Sequence, residues 1–235
     1  MIQEFAEIYK SRPVKDNSGG MGFNHSYGLW KILRDRQPNV VMESGVHKGH
    51  STWVIEQAVP AAQVFSFDIS LANRHYLSTR AHYVESDFRE FDWSQVDLTN
   101  SIAFFDDHFN NLERAKDAYW FGFQGAIFED NYPIGEGDSY SIQHLLAGAG
   151  FTNLQQSKKY RGGPLARLKR AGKQIFLERM LLNQSVLVTP NIVDRANFLE
   201  RVEEVNVFPP VWLPSQSHFG IPWNVIPHIE PLLDE

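Results

Sequence analysis

Along the first half of the chain, short runs of β-branched and aromatic residues alternate with longer stretches whose apolar positions recur every three or four residues. The runs are Val40-Val41-Met42, Val64-Phe65-Ser66-Phe67-Asp68, His82-Tyr83-Val84, Ser101-Ile102-Ala103-Phe104-Phe105 and Gly125-Ala126-Ile127-Phe128. Val40-Val41-Met42 is continuously apolar, as a strand buried on both faces of a parallel sheet must be. Helices are predicted over about 2–10, about 26–36, from Trp53 to Ala58, and about 110–121. Leu29, Trp30 and Leu33 face inward from the second, and Leu112, Ala115 and Tyr119 from the fourth. Pro38 and Pro60 end their helices, since the residue before a proline disfavours helix. Strands alternating with helices predict an α/β fold: a doubly wound, Rossmann-like, mostly parallel sheet.

Beyond residue 131 the pattern changes. A loop from Tyr132 to Ser139 precedes helices expected over about 140–148, 164–183 and 191–204, and a late strand over Val205–Phe208. Six prolines from Pro209 to Pro231 make the tail irregular, with Trp212, Phe219 and Trp223 as anchors. The chain of 235 residues is therefore divided as one domain. Residues 1–38 form an N-terminal helical cap and 39–131 a cofactor-binding core. Residues 132–204 form a helical C-terminal insertion, readable as a lid, and 205–235 an irregular end.

The first strand leads into Glu43-x-Gly45-x-x-x-Gly49-x-Ser51, and strand, glycine turn and helix form the opening unit of a doubly wound sheet. Glycine at 45 and 49 is expected to let backbone approach a ligand, with Glu43 at the strand tip accepting its hydrogen bonds. His47 and His50 stand where the dinucleotide fingerprint needs glycine, and no Gly-Lys-Ser/Thr follows to make a P-loop. Asp68 lies at the tip of the second strand, where Rossmann-like sites grip ribose hydroxyls. Asp87, after the third strand, either contacts an adenine amine or caps a turn. Asn17-Ser18-Gly19-Gly20-Met21-Gly22 is a flexible link, either a lid or a solvated loop.

Charge and composition narrow the function. The net charge of −6 argues against general polyanion binding, so no nucleic-acid partner is expected. Residues 158–173 hold seven cations and no acid, leaving 15 basic residues against 28 acidic elsewhere. That basic segment is either a solvated helix face or a lid whose Arg161 and Arg167 meet an anionic group. With no cysteine, thiolate metal sites and cysteine nucleophiles are excluded. Nothing reads as a signal peptide or a membrane span, so a cytoplasmic protein is expected, with no membrane partner.

The fourth strand ends in Asp106-Asp107-His108 and the fifth in Glu129-Asp130-Asn131. Carboxylates converging from adjacent strand ends repel unless a cation or proton sits among them. An oxygen-rich set favours a divalent ion such as magnesium, calcium or manganese. His108 is a candidate general base, near pKa ~6.5 when unperturbed. The bland alternative is that Asp107 and Asp130 cap the segments that follow.

The order Glu-x-Gly-x-x-x-Gly-x-Ser, Asp68, Phe-Phe-Asp-Asp-His and Ile-Phe-Glu-Asp-Asn-Tyr resembles the class I S-adenosylmethionine-dependent methyltransferases over about residues 26–131. Within them it is most similar to metal-dependent O-methyltransferases of the macrolide-sugar, rhamnosyl and cephalosporin hydroxylase-like group. The resemblance implies that Glu43, Gly45, Gly49 and Ser51 hold the methionine part of S-adenosylmethionine, Asp68 its ribose and Asp87 its adenine. It implies a magnesium site of Asp106, Glu129 and Asp130, with His108 or the metal-bound Asp106 taking the substrate proton. This chain departs from the family's usual Asp-Gly-x-His: Asp107 replaces the glycine and His108 comes one position early. The implied activity is O-methylation of a small hydroxylated molecule, such as a sugar or glycosylated metabolite. A same-fold enzyme that does not methylate, or a non-catalytic binding module, is the alternative; homo-oligomer formation stays open.

Overall fold

The computed structural model describes residues 1–132, 139–148 and 192–206. The basic segment 158–173, the helix expected over 164–183, half of the late strand and the tail anchors lie outside them. Among the described residues no helix is long and apolar enough to cross a membrane.

Five strands form one parallel sheet: β1 (Val40–Ser44), β2 (Gln63–Phe67), β3 (His82–Val84), β4 (Ser101–Phe105) and β5 (Gly125–Phe128). Their spatial order is β3-β2-β1-β4-β5, every neighbour parallel. The chain winds outward from β1 to one side, then returns to place β4 against β1 on the other. The sheet thus reverses its winding between β1 and β4, and a ligand crevice belongs outside the carboxyl ends of those two strands.

Helices α1 (Ile2–Lys10), α2 (Phe23–Arg36) and α3 (His50–Ala58) precede or follow β1, while α4 (Asn111–Phe121) links β4 to β5. Past β5 come α5 (Ile142–Leu146) and α6 (Ile192–Leu199). Side-chain alternation sorts the strands onto two cores. Val41, Val64, Ile102 and Ile127 join α1, α2 and α3 on one face, where Leu29, Trp30 and Leu33 are buried as expected. Phe5 anchors that face, its ring 5.2 Å from Phe23 and 5.3 Å from Trp30. Met42, Phe65, Phe67, Ala103 and Phe105 face the other core.

The second face differs from simple strand–helix alternation. β2–β3 and β3–β4 are joined by turns and two 3₁₀ segments, Phe88–Glu90 and Trp93–Gln95, rather than by α-helices. Aromatic rings supply the cover a helix would give: Trp93 stands 5.4 Å from Phe65, 4.8 Å from Phe91 and 5.1 Å from Phe123. Helix α2 begins three residues before its predicted start, because Phe23 and the polar Asn24, His25 and Ser26 are all buried in its first turn. Tyr119, expected inward, is 61% exposed; the buried positions of α4 are Asn111, Leu112, Arg114 and Ala118. The inward stripe is therefore centred on a cation, which an apolar-periodicity reading passes over.

Candidate metal and cofactor site

β1 runs through Glu43 to Ser44 and passes into the loop from Gly45 to Gly49. Gly45, His47 and Gly49 all have positive φ, at 97°, 46° and 81°. Asp68, just past β2, clamps this loop: one oxygen accepts from the N–H groups of Val46 (2.8 Å) and His47 (3.0 Å). Its other oxygen accepts from the Ser70 N–H at 3.0 Å. A Cβ at Gly45 would lie 2.1 Å from the Asp106 carbonyl oxygen, and one at Gly49 would lie 2.7 Å from that of Tyr76. The protein's own backbone thus approaches both glycines closely.

Glu43 lies inside the strand, not at its tip, and is 0% exposed. One of its oxygens accepts from Thr52 Oγ1 at 2.7 Å and from Ser66 Oγ at 2.5 Å; Ser66 is its register partner on β2. Burial pushes its pKa up to about 7, against the opposing pull of the Ser51, Ser66 and Thr52 hydroxyls. Ser51, on the first turn of α3, is buried beside it.

At the ends of β4 and β5 the side chains of Asp106, His108 and Asp130 offer ligand atoms all within 4.8 Å of one another. His108 adopts the left-handed region (φ 54°) and its exposed ring turns back so that Nδ1 lies 3.1 Å from Asp130 Oδ2. Burial raises the Asp106 pKa well above the carboxylate range, and the nearby charges of Glu129 and Asp130 raise it further. Two carboxylates and an imidazole suit a divalent cation. Glu129, also expected in this set, is not among the three that converge; one of its oxygens pairs with Nδ1 of His25, which reaches it from the first turn of α2. Burial drives the pKa of His25 down to about 3.

A second ion cluster braces the first. Arg114, 4% exposed, donates to Asp107 Oδ2 from Nε at 2.9 Å and to Asp87 Oδ2 from its NH2 group at 3.0 Å. Asp107 also accepts from Ser44 Oγ at 2.6 Å, and the Arg114 guanidinium lies over the Phe109 ring. Asp87 caps the 3₁₀ segment through the Arg89 N–H and binds Arg89 as well, so turn capping is the role seen here. Burial opposes ionisation of Asp87, but Arg89 and Arg114 outweigh it and bring its pKa to about 2. Asp107 is thus occupied by Arg114 and Ser44, and only Asp106 of the pair turns toward Asp130.

Beside Asp106 lies a small crevice lined by Asn17, Gly20, Met21, Val46, His47, His50, Ser51 and Asp106. The Asn17–Gly22 link forms its outer wall. Asn17 Nδ2 donates to the Met21 carbonyl at 3.1 Å, and Lys48 Nζ holds the Asp16 carbonyl at 2.9 Å. Met21 is buried in the core, so the link is a pinned turn rather than a loose tether. Two acceptor-capable atoms of the lining, Asn17 Oδ1 and His50 Nδ1, are buried without a hydrogen-bond partner. Ser26 Oγ donates to the Gly22 carbonyl at 2.7 Å and lies 2.9 Å from His50 Nε2, which fixes Nε2 as the donor and Nδ1 as the acceptor.

His25 and Arg114 were not marked by the sequence pattern, and Asn17 only as the start of the flexible link. Arg114 carried a usable signal: with Asn111 and Ala118 it completes an inward stripe at helical spacing. His25 and Asn17 carried none, because both act on partners that only the fold brings near.

Fold and site together define a doubly wound, Rossmann-like α/β protein with a carboxylate–imidazole cluster on the carboxyl edge of its sheet. No family model and no curated protein matches the sequence. Among solved structures it is similar to "cmcI-N160 SAH", at 16% identity and TM-score 0.40, over 47% of this chain and 62% of that one. An O-methyltransferase from Bacillus cereus in complex with SAH matches at 13% identity and TM-score 0.44, over 66% and 74% of the two chains. The O-methyltransferase TomG from Streptomyces achromogenes, in complex with SAM, matches at 14% and 0.37, over 54% and 62%. The chain spans 52–62% of the three CmcI chains it matches. These likenesses are too low in identity and TM-score to assign an activity; the strand order and the side chains carry the reading.

Proposed function

We propose that this chain is an S-adenosylmethionine-dependent O-methyltransferase, assisted by a divalent cation, that acts on a hydroxyl of a small molecule. The observation that carries the reading is the convergence of Asp106, His108 and Asp130 beside the glycine-loop crevice. The sequence resemblance over residues 26–131 names the cofactor, and two side chains of the crevice offer it acceptors. Asn17 Oδ1 and His50 Nδ1 are acceptors in want of donors, and the cofactor's ammonium and ribose hydroxyls are donors.

Asp106 and Asp130 would hold the cation, magnesium being the favoured ion. A bound divalent ion lowers the pKa of a coordinated hydroxyl. His108 is the exposed corner of the triangle, its Nδ1 3.1 Å from Asp130 Oδ2, and is the group to take the proton of an incoming hydroxyl. Ser51 and the Gly45–Gly49 loop would seat the methionine part of the cofactor. Glu43 and Asp68 act at one remove, by stiffening β1 and clamping the loop. Asp87 likewise acts through Arg114. The turn 17–22 would wall the crevice on one side.

Calorimetric titration with S-adenosylhomocysteine, with and without magnesium, tests this. Micromolar binding that tightens with a hydroxylated acceptor and magnesium is expected. A protein that takes magnesium but neither cofactor form would be a metal-binding module or a non-methylating enzyme on the same fold.

A further inference from the structure

One carboxylate next to the candidate metal cluster is engaged by a partner outside it. Glu129 and Asp130 are consecutive at the end of β5, yet their side chains divide: Asp130 faces His108, whereas Glu129 pairs with His25 of α2. Both members of that pair are buried, His25 at 1% and Glu129 at 6% exposure. Glu129 nevertheless lies close enough to Asp106 to be the largest of the charges acting on it. Two carboxylates, Asp106 and Asp130, leave a six-coordinate hard cation short of protein ligands. Glu129, next to Asp130 in the chain and foremost among the charges acting on Asp106, is the candidate for a further oxygen donor.

We infer that His25 and the metal ion compete for Glu129, so that His25 is a positioning residue that sets how readily the carboxylate joins Asp106, His108 and Asp130. The inference rests on the metal reading given above and adds a residue from the N-terminal cap to it. His25 lies one residue before Ser26, which is bonded to the Gly22 carbonyl and faces His50. Release of Glu129 from His25 therefore reports metal arrival to the helix turn that carries the crevice's outer wall.

The test is manganese affinity by calorimetry on the full chain, compared with the wild type for three variants. His25→Phe keeps the ring's bulk but cannot hold Glu129, and should bind manganese about tenfold more tightly, the order of one charge-assisted hydrogen bond. His25→Gln, which still donates, should fall between His25→Phe and wild type. Glu129→Gln should bind more weakly than wild type. As a readout that a merely structural role would not move, the His25 ring ¹⁵N resonances should shift when magnesium saturates the site. Thermal melts of each variant separate a folding defect from a change in affinity.

Unchanged affinity in Glu129→Gln, or weaker binding in a folded His25→Phe, overturns the competition while leaving the Asp106–His108–Asp130 site standing. Magnesium saturation that leaves the His25 resonances in place overturns it too. A wild-type chain that binds neither ion removes the metal reading itself, and this inference with it.

Discussion

The carbonyl oxygen of Asp106 lies where Gly45 would carry a Cβ: an atom built there falls 2.1 Å from it. The backbone contact between the first loop and the end of β4 ties the crevice to the metal cluster. The Asp106 N–H completes it by donating to the Ser44 carbonyl at 2.8 Å. Gly45→Ala should therefore harm the fold as well as the site. Its φ of 97° is strained for any side chain, a cost of about 1–3 kcal/mol before the clash is counted. Urea unfolding should show a loss of at least that size, with cofactor and metal affinity falling together. A variant as stable as wild type would mean the two loops are not packed this closely.

Glu43 predicts an unusual pH dependence. Its folded pKa of about 7 stands above the ordinary carboxyl value, so the native state holds a proton that the unfolded chain has released. Stability from this group is present below pH ~4.5 and falls as pH rises to about 7, by up to about 3 kcal/mol. Glu43→Gln keeps the shape without the charge. Melting curves should place its advantage over wild type at pH 8, shrinking toward pH 5; an advantage larger at pH 5 would contradict the sign.

Arg114 holds two buried-side carboxylates. Arg114→Met should cost about 3–5 kcal/mol, because Asp87 and Asp107 lose the cation that compensates them. Asp87 gives a pH signature as well. Its folded pKa of about 2 lies below the unfolded value, so its stabilisation is present above pH ~4 and fades as pH falls toward 2. That acid limb should flatten in the variant. Equal acid limbs in the two proteins would show that Arg114 does not set the Asp87 charge.

The metal cluster separates into a binding corner and a proton-handling corner. Asp106→Asn should lower manganese affinity by at least the roughly 10–100-fold that outer-shell changes cost such sites. His108→Gln should lower methyl transfer by about 10²–10⁴-fold, with a smaller change in metal affinity. Loss of affinity in both to the same degree would make His108 a ligand first and a base second.

For the wild type, magnesium at a hundred times its dissociation constant should add about 2.7 kcal/mol of stability by mass action. A thermal-shift series against magnesium, with Asp106→Asn as control, checks this. A shift that survives in the control would place the ion elsewhere.

Much of the fold was legible in the sequence because burial on both faces leaves a local trace. Val40 to Met42 and Ser101 to Phe105 read as strands, and α1 fills the span predicted for it. The strand-end carboxylates were legible for the same reason: a polar cluster at the end of an apolar run marks where a parallel strand leaves the sheet. Which carboxylate does what was not legible, because each outcome depends on a partner far along the chain. Asp107 is taken by Arg114 and Ser44, and Asp87 by Arg114; Glu129 is taken by His25, 104 residues away. Glycine at 45 and 49 was visible, but the sequence could not say whether a ligand or backbone came near. The sequence by itself determined the strands, their parallel stacking and the edge where acids gather. Only the tertiary structure decided which acids converge on one point, since a carboxylate's role is set by the cations and hydroxyls that long-range packing places beside it.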